Sequence, residues 1–242
     1  MNRLFEGNSS MVRQARMLYV LIRQQDGITR QVLSDQLDLP ATSLNRMLDR
    51  QVQAGLIEEY DLAVSTGGRR PGLYRLKKDG RYLLGLDWTD QAGCLVLTDT
   101  TLEVVARQFW PDFGQWPPLE QLAAIRLTLT RLLDEQRIDA GQMLGFGLSY
   151  PESTAAAASP SDLIRLLQAS GDQAVFPTAS HDAAFYAGLW QIREKAAESL
   201  LYLTFGDSVR AGMALNGQLH EGPLATLPID PVIVPLPDKS GG

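Results

Sequence analysis

The first eighty residues combine three short amphipathic segments with a basic hairpin, and this order strongly limits the possible folds. Apolar residues recur at three- and four-residue spacings, which predicts three helices over residues 11–25, 29–37 and 40–54. Strands are predicted over residues 56–60 and 73–76. The segment 65–72 between them is rich in glycine and carries two adjacent arginines, as expected of a hairpin turn. Residues 1–80 are therefore predicted to form a winged helix-turn-helix.

The third helix has a polar outer face suited to the major groove of DNA. Its apolar side chains fall on one side of a helical wheel and are predicted to be buried; they are Leu44, Met47, Leu48 and Val52. Polar side chains on the other side can hydrogen-bond base edges, and the hairpin arginines can reach phosphates or a minor groove. The predicted DNA-binding residues are Thr42, Ser43, Asn45, Arg46, Arg50, Gly68, Arg69 and Arg70. A small helical packing unit that docks onto another protein is the alternative interpretation.

Charge is distributed unevenly along the chain. Residues 1–81 carry 13 Lys and Arg against 9 Asp and Glu, whereas residues 82–242 carry 9 against 19. A basic segment joined to an acidic one is typical of a nucleic-acid reader fused to a domain of another kind.

The remainder of the chain alternates between buried strands and helices, which predicts an α/β fold and makes the whole chain a multi-domain α/β protein. Strands are predicted over residues 82–88, 93–98, 102–109, 143–150 and 174–177. Helices are predicted over residues 119–136, 161–169 and 182–199. A loop is expected over 111–118, and residues 200–205 and 211–215 form a predicted hairpin. The predicted domains are 1–80, 81–222 and an irregular proline-rich tail over 223–242.

Several protein classes are excluded by composition. The single cysteine, Cys94, rules out an intramolecular disulfide and a cysteine-rich zinc site, and its apolar neighbours predict a buried side chain. No stretch approaches the roughly 18 apolar residues of a membrane span. The first ten residues have no apolar core of a signal peptide, so a cytoplasmic protein without membrane contact is expected.

Motifs along nearly the whole chain resemble those of the ROK family (repressors, open reading frames and kinases). The matching segments are residues 27–30, 40–43, 54–58, 67–71, 84–87, 145–151, 180–184, 201–206 and 216–222. They are most similar to the family's transcriptional repressors of sugar catabolism. The resemblance implies a shortened actin-like, ribonuclease H-like domain after the winged helix.

The chain departs from the family pattern where kinases hold nucleotide and sugar. The family's Asp-x-Gly-Gly-Thr turn is replaced by Asp87-Trp88-Thr89-Asp90-Gln91, which lacks the glycine pair and places a second carboxylate where phosphate would lie. The family's sugar-binding and zinc motifs are missing. Asp182 matches the family's general base, and a helix-capping role is the alternative for it. Asp87 and Asp182 are the candidate ligand-binding residues.

These observations together predict a sequence-specific DNA-binding regulator, most simply a repressor and not an enzyme. Its partners would be double-stranded DNA and a second copy of the chain, since one short helix contacts few base pairs. The ROK-like domain would serve assembly or reception of a sugar-type effector, with no cofactor. A minimal carbohydrate kinase and a protein-docking module are the alternatives.

Overall fold

A computed structural model describes most of the first 180 residues and shorter segments after them. The described residues are 9–25, 27–60, 72–89, 91–150, 159–169, 173–180, 182–184, 187–188, 199–205, 209–215, 218–219 and 227–229. The chain divides into two compact units, Met1–Thr178 and Ala179–Gly242. Within the described residues, no helix has the length and apolar character needed to cross a membrane.

The first part of the chain is a module of three helices and a small antiparallel sheet, here called the helix-hairpin module (residues 9–76). Its elements are α1 (Ser9–Gln24), β1 (Ile28–Thr29), α2 (Arg30–Leu37), α3 (Ala41–Gln53), β2 (Ile57–Tyr60) and β3 (Leu73–Leu76). The strands pair in the order β1-β3-β2. The three helices and the hairpin strands therefore lie where the sequence predicts them. The short strand β1, which joins the hairpin to the start of α2, was not predicted.

The module has a hydrophobic core of its own. Leu18 and Ile22 of α1 pack with Leu33 of α2 and with Leu44 and Leu48 of α3, and all five are nearly inaccessible to solvent. Tyr74 and Leu76 of the hairpin close this core from the other side. Burial of this size holds α3 in a fixed position.

A five-stranded sheet follows, formed by β4 (Tyr82–Trp88), β5 (Ala92–Asp99), β6 (Val104–Pro111), β7 (Met143–Tyr150) and β8 (Ala174–Ala179). The order is β6-β5-β4-β7-β8, with antiparallel pairing between β4 and β5 and parallel pairing between β4 and β7. Helices α4 (Pro118–Gln136) and α5 (Pro160–Gln168) pack with alternate residues of these strands in a second core. The predicted α/β character is thus confirmed.

The segment between β6 and α4, predicted to be a loop, is well packed. It contains a 3₁₀ turn, Phe113–Gln115, whose phenylalanine is fully buried. The ring of Phe113 stacks on Trp110 with a centroid distance of 4.9 Å. The buried Gln121 side chain donates a hydrogen bond of 2.7 Å to the Phe113 carbonyl. Aromatic packing therefore replaces regular secondary structure here.

The second unit contains the antiparallel strands β9 (Ser199–Phe205), β10 (Val209–Leu215), β11 (Gln218–Leu219) and β12 (Leu227–Ile229). Strands β9 and β10 form the predicted hairpin. The prediction of an irregular tail after residue 222 is wrong at Leu227–Ile229, because this segment forms a strand that pairs with β10. Pro228 has no backbone N–H to donate, and it is tolerated here because a short strand at a sheet edge leaves some backbone groups unpaired. Of the predicted helix over 182–199, the described residues 182–184 and 187–188 are helical, but its last residue is wrong, because Ser199 begins β9.

Hydrogen bonds tie the helix-hairpin module to the five-stranded sheet. The Tyr19 hydroxyl on α1 donates to the carbonyl of Thr100, whose own hydroxyl donates to the Lys77 carbonyl at 2.7 Å. Arg81 donates from Nε to the Ala54 carbonyl at 2.7 Å and from Nη1 to the Gly141 carbonyl at 2.5 Å. The end of α3 and the turn before β7 are thereby held by one side chain.

Candidate nucleic-acid interface

The turn between α2 and α3 is short and internally hydrogen-bonded. Thr29 caps the start of helix α2, and its hydroxyl accepts a hydrogen bond from the Val32 amide at 3.3 Å. Asp38 caps the end of α2 and has a left-handed backbone with φ of 50°. The Ser34 hydroxyl donates to the Leu39 carbonyl at 2.7 Å. Pro40 then precedes the first residue of α3, where its fixed φ favours a helix start. These contacts set the direction in which α3 leaves the turn.

The outer face of α3 is polar, as the sequence predicts. Thr42, Ser43, Arg46 and Arg50 are all exposed. The inner face differs from the prediction near its end, because Val52 is 41% exposed whereas Gln51 is buried, and Met47 is only partly buried. On the helical wheel Gln51 lies about 20° from the buried Leu44, whereas Val52 lies about 80° from it, so position on the helix overrides residue type here.

Asn45 differs from the other predicted DNA-binding residues because it is only half-exposed. Its side-chain oxygen Oδ1 is buried and accepts no hydrogen bond from the described residues. The residue therefore lies at the border between the outer face and the core. Nothing in the amino-acid sequence indicated this unsatisfied acceptor.

The stem of the hairpin is held by ionic and aromatic contacts. Arg30, the first residue of α2, donates a hydrogen bond of 2.5 Å to the Tyr74 hydroxyl, which raises the pKa of Arg30. Arg75 donates to Glu58 at 2.7 Å and lies 4.4 Å from the centre of the Tyr60 ring. Arg30 of α2 and Arg75 of the hairpin are thus bound within the module. The predicted tip residues Gly68, Arg69 and Arg70 lie outside the described residues.

The second predicted site begins at Asp87, near the end of β4. The exposed Asp87 carboxylate accepts a hydrogen bond of 2.6 Å from Ser149 Oγ on β7. The sequence does not indicate this contact, although each residue lies at the end of an apolar run and the two runs form neighbouring parallel strands. Cys94 on β5 is the cross-strand partner of Asp87 on β4, and it is half-buried, less than predicted. Burial raises the pKa of Cys94, and the Asp87 charge raises it further.

The backbone amides of the turn after β4 are engaged within the turn itself. The Thr89 amide donates to the Ala92 carbonyl at 2.8 Å, and the Ala92 amide donates to Thr89 Oγ1 at 2.9 Å. A phosphate cradle needs such amides to point outward at the anion. The described part of this turn therefore offers no cradle formed by these two amides.

Asp182 lies in the second unit, in a helical segment. A joint site of Asp182 and Asp87 stays a prediction. The described residues contain no cluster of His, Cys, Asp and Glu that could hold a metal ion.

Comparisons with known proteins find similar sequences among transcriptional regulators. The xylose repressor of Caldicellulosiruptor bescii is 23% identical over 233 residues, covering 89% of this chain and 57% of the repressor. The DNA-binding transcriptional dual regulator NagC of Escherichia coli K12 is 28% identical over 107 residues, covering 43% of this chain and 26% of NagC. No protein-family model matches the chain.

Among solved structures, a ROK family transcriptional regulator described as a homologue of the E. coli MLC protein has a TM-score of 0.68. It is 16% identical, and the match covers 90% of this chain and 58% of that one. The fold is therefore that of a ROK-family regulator. Together with the xylose repressor and NagC, it confirms the resemblance to ROK-family regulators. The chain spans a little over half the length of the xylose repressor and of the matched structure.

Proposed function

We propose that this chain is a sequence-specific DNA-binding transcriptional regulator, most simply a repressor, whose helix-hairpin module is a winged helix-turn-helix. The observation that carries the proposal is the outer face of α3, where Thr42, Ser43, Arg46 and Arg50 are exposed on a helix fixed by its own core. Hydroxyls and guanidinium groups on such a face can bond base edges and phosphates in a major groove. The hairpin, with Arg69 and Arg70 in its tip, would contact the adjacent backbone or minor groove.

The test is a titration of the full chain against duplex DNA selected from a random library, followed by fluorescence anisotropy. Binding is expected to weaken as salt rises, with a log–log slope of about −0.9 for each phosphate contact. Arg46→Ala and Arg50→Ala are each expected to lower affinity by about 1–3 kcal/mol. The matched control is Arg165→Ala, because Arg165 is an exposed arginine on α5. Salt-independent binding, or equal affinity in all three variants, would refute the proposal.

We also propose that two copies of the chain bind one operator. A single recognition helix reads few base pairs, and pairing two half-sites about 34–36 Å apart increases both affinity and specificity. Sedimentation of the protein–DNA complex should give two chains per duplex. The selected sequence should then be an inverted repeat. A monomeric complex on a single asymmetric site would contradict this part of the proposal.

The α/β part is proposed to receive a signal without acting as a kinase. The inward engagement of the Thr89 and Ala92 amides supports this, because phosphate would have to displace existing hydrogen bonds. Asp87 and Asp182 remain the proposed ligand-binding residues, for a sugar or sugar derivative of the kind named in the relatives. Adding xylose or N-acetylglucosamine to the DNA complex should release DNA if either is the effector. Transfer of phosphate from ATP to a hexose would instead support the kinase alternative.

A further inference from the structure

The side chain of Asn45 is in an unfavourable state in the free protein. Its Oδ1 atom is buried and receives no hydrogen bond from any residue that the structure describes. An amide oxygen that has lost water without gaining a donor is costly, and such groups are rare in folded proteins. The cost needs a reason, because an apolar side chain of the same shape would avoid it.

The position of Asn45 on α3 indicates how this cost can be relieved. Its neighbours Leu44 and Leu48 are fully buried and anchor the backbone, so the helix cannot shift to provide a donor. Arg46 and Asp49, one and four residues later, are exposed. Rotation of the Asn45 side chain toward this exposed side would bring Oδ1 out of the core without moving the backbone.

We propose that Asn45 is the residue that selects an adenine in the operator, turning outward when DNA binds. In that position the amide would donate to adenine N7 and accept from adenine N6, a pairing that requires one donor and one acceptor side by side. Arg46 and Arg50 cannot make this pair, because a guanidinium group has donors only. The inference rests on the proposed DNA-binding function and deepens it.

The buried oxygen of Asn45 strengthens the preference for adenine over guanine. In the free protein the amide oxygen is unpaired, and in the complex with the correct base both amide groups are paired. Guanine presents two acceptors, N7 and O6, and the donor of a G·C pair, cytosine N4, lies on the other base, so neither base edge offers the Asn45 amide the adjacent donor and acceptor that adenine does. A good bidentate pair is worth about 5- to 150-fold in affinity over the wrong base.

Three substitutions separate this role from a purely structural one. Asn45→Leu keeps the shape and removes the acceptor, so it should raise the midpoint temperature of unfolding and abolish the adenine preference. Asn45→Gln keeps both amide groups and should retain the preference. Thr130→Leu on the exposed face of α4 controls for the higher helix propensity of leucine, since Asn and Thr have similar propensities. The rise in midpoint for Asn45→Leu should exceed that for Thr130→Leu.

The experiment uses the full chain and duplexes selected from a random library by the wild-type protein. Each A·T pair of the selected motif is replaced in turn by G·C, and the ratio of dissociation constants is measured for wild type and each variant. One replacement is expected to cost wild type and Asn45→Gln about 5- to 150-fold and Asn45→Leu less than about twofold. If Asn45→Leu keeps the full ratio, or is less stable than wild type, the inference is overturned. If the wild-type protein selects no motif at all, the proposed function itself fails.

Discussion

The ring of Phe113 lies against the backbone of Gly93 on β5, and a double-mutant cycle can test this contact. A Cβ atom added at Gly93 would lie 2.5 Å from Phe113 Cδ1 and 2.8 Å from Cγ. Both distances are far below normal carbon–carbon contact, so the ring would have to move. It has little room, because Phe113 is fully buried and stacks on Trp110.

The expected free energies follow from this geometry. Gly93→Ala should lower the free energy of unfolding by about 1–3 kcal/mol, the usual cost of overpacking. Phe113→Ala should lower it by about 3–5 kcal/mol, because it leaves a cavity and removes the stacking on Trp110. In the Phe113→Ala background the added methyl group meets open space. Gly93→Ala should then be neutral or stabilising by up to about 1 kcal/mol, because alanine suits a strand better than glycine.

Urea unfolding followed by tryptophan fluorescence measures these differences, with Trp110 as a local reporter of the contact. The coupling energy between the two positions should be at least about 1 kcal/mol in favour of the double variant. The slope of the transition should be unchanged, so that midpoints report stability. If Gly93→Ala costs the same in both backgrounds, the ring does not cover Gly93 and the described packing is wrong.

Two further predictions concern charge and backbone conformation. Cys94 is the only thiol, and its pKa is raised by burial and by Asp87 but lowered by Arg107. Asp87→Asn should therefore lower the pKa of Cys94 and speed its alkylation by iodoacetamide at pH 8, whereas Arg107→Gln should raise the pKa and slow alkylation. The change in rate should be at most about tenfold for each unit by which the pKa moves. If both substitutions change the rate in the same direction, the prediction is contradicted. Arg137 caps the end of α4 with φ of 55°, a left-handed backbone that favours glycine. Arg137→Gly should therefore raise the free energy of unfolding by about 0.5–1 kcal/mol. Arg126→Gly, in the exposed middle of α4, should lower it by a similar amount, because glycine is a poor helix former. Thermal unfolding of both variants measures the signs, and equal signs would refute the argument.

The helices and strands of this fold could be predicted from the sequence where apolar residues recur at a regular spacing. Strands β4 and β7 were predicted with their observed ends, because both are apolar runs flanked by polar or turn residues. The order β6-β5-β4-β7-β8 was not predicted, because strand neighbours depend on long-range pairing. The contact between Asp87 and Ser149, 62 residues apart, depends on that pairing.

The candidate site was predicted less completely than the fold. A helical wheel predicts the exposed side of α3. The prediction that Val52 is buried is wrong, because at the end of this helix Gln51 is the buried residue. The buried oxygen of Asn45 has no sequence signature, because it depends on how neighbouring helices close around one atom. Exposure follows from periodicity, whereas the hydrogen-bonding state of one group follows only from packing.

The junction between the helix-hairpin module and the sheet limits how a signal could control DNA binding. Arg81 joins the last turn of α3 to the loop before β7, and Tyr19 joins α1 to the turn after β5. These contacts bridge two separate cores within one compact unit. If the chain is the proposed regulator, α3 and the sheet would then move together as one rigid part. We expect an effector bound at the sheet to change operator affinity by altering the distance between the α3 helices of two copies, because these hydrogen bonds oppose a change in the distance between α3 and the sheet within one copy.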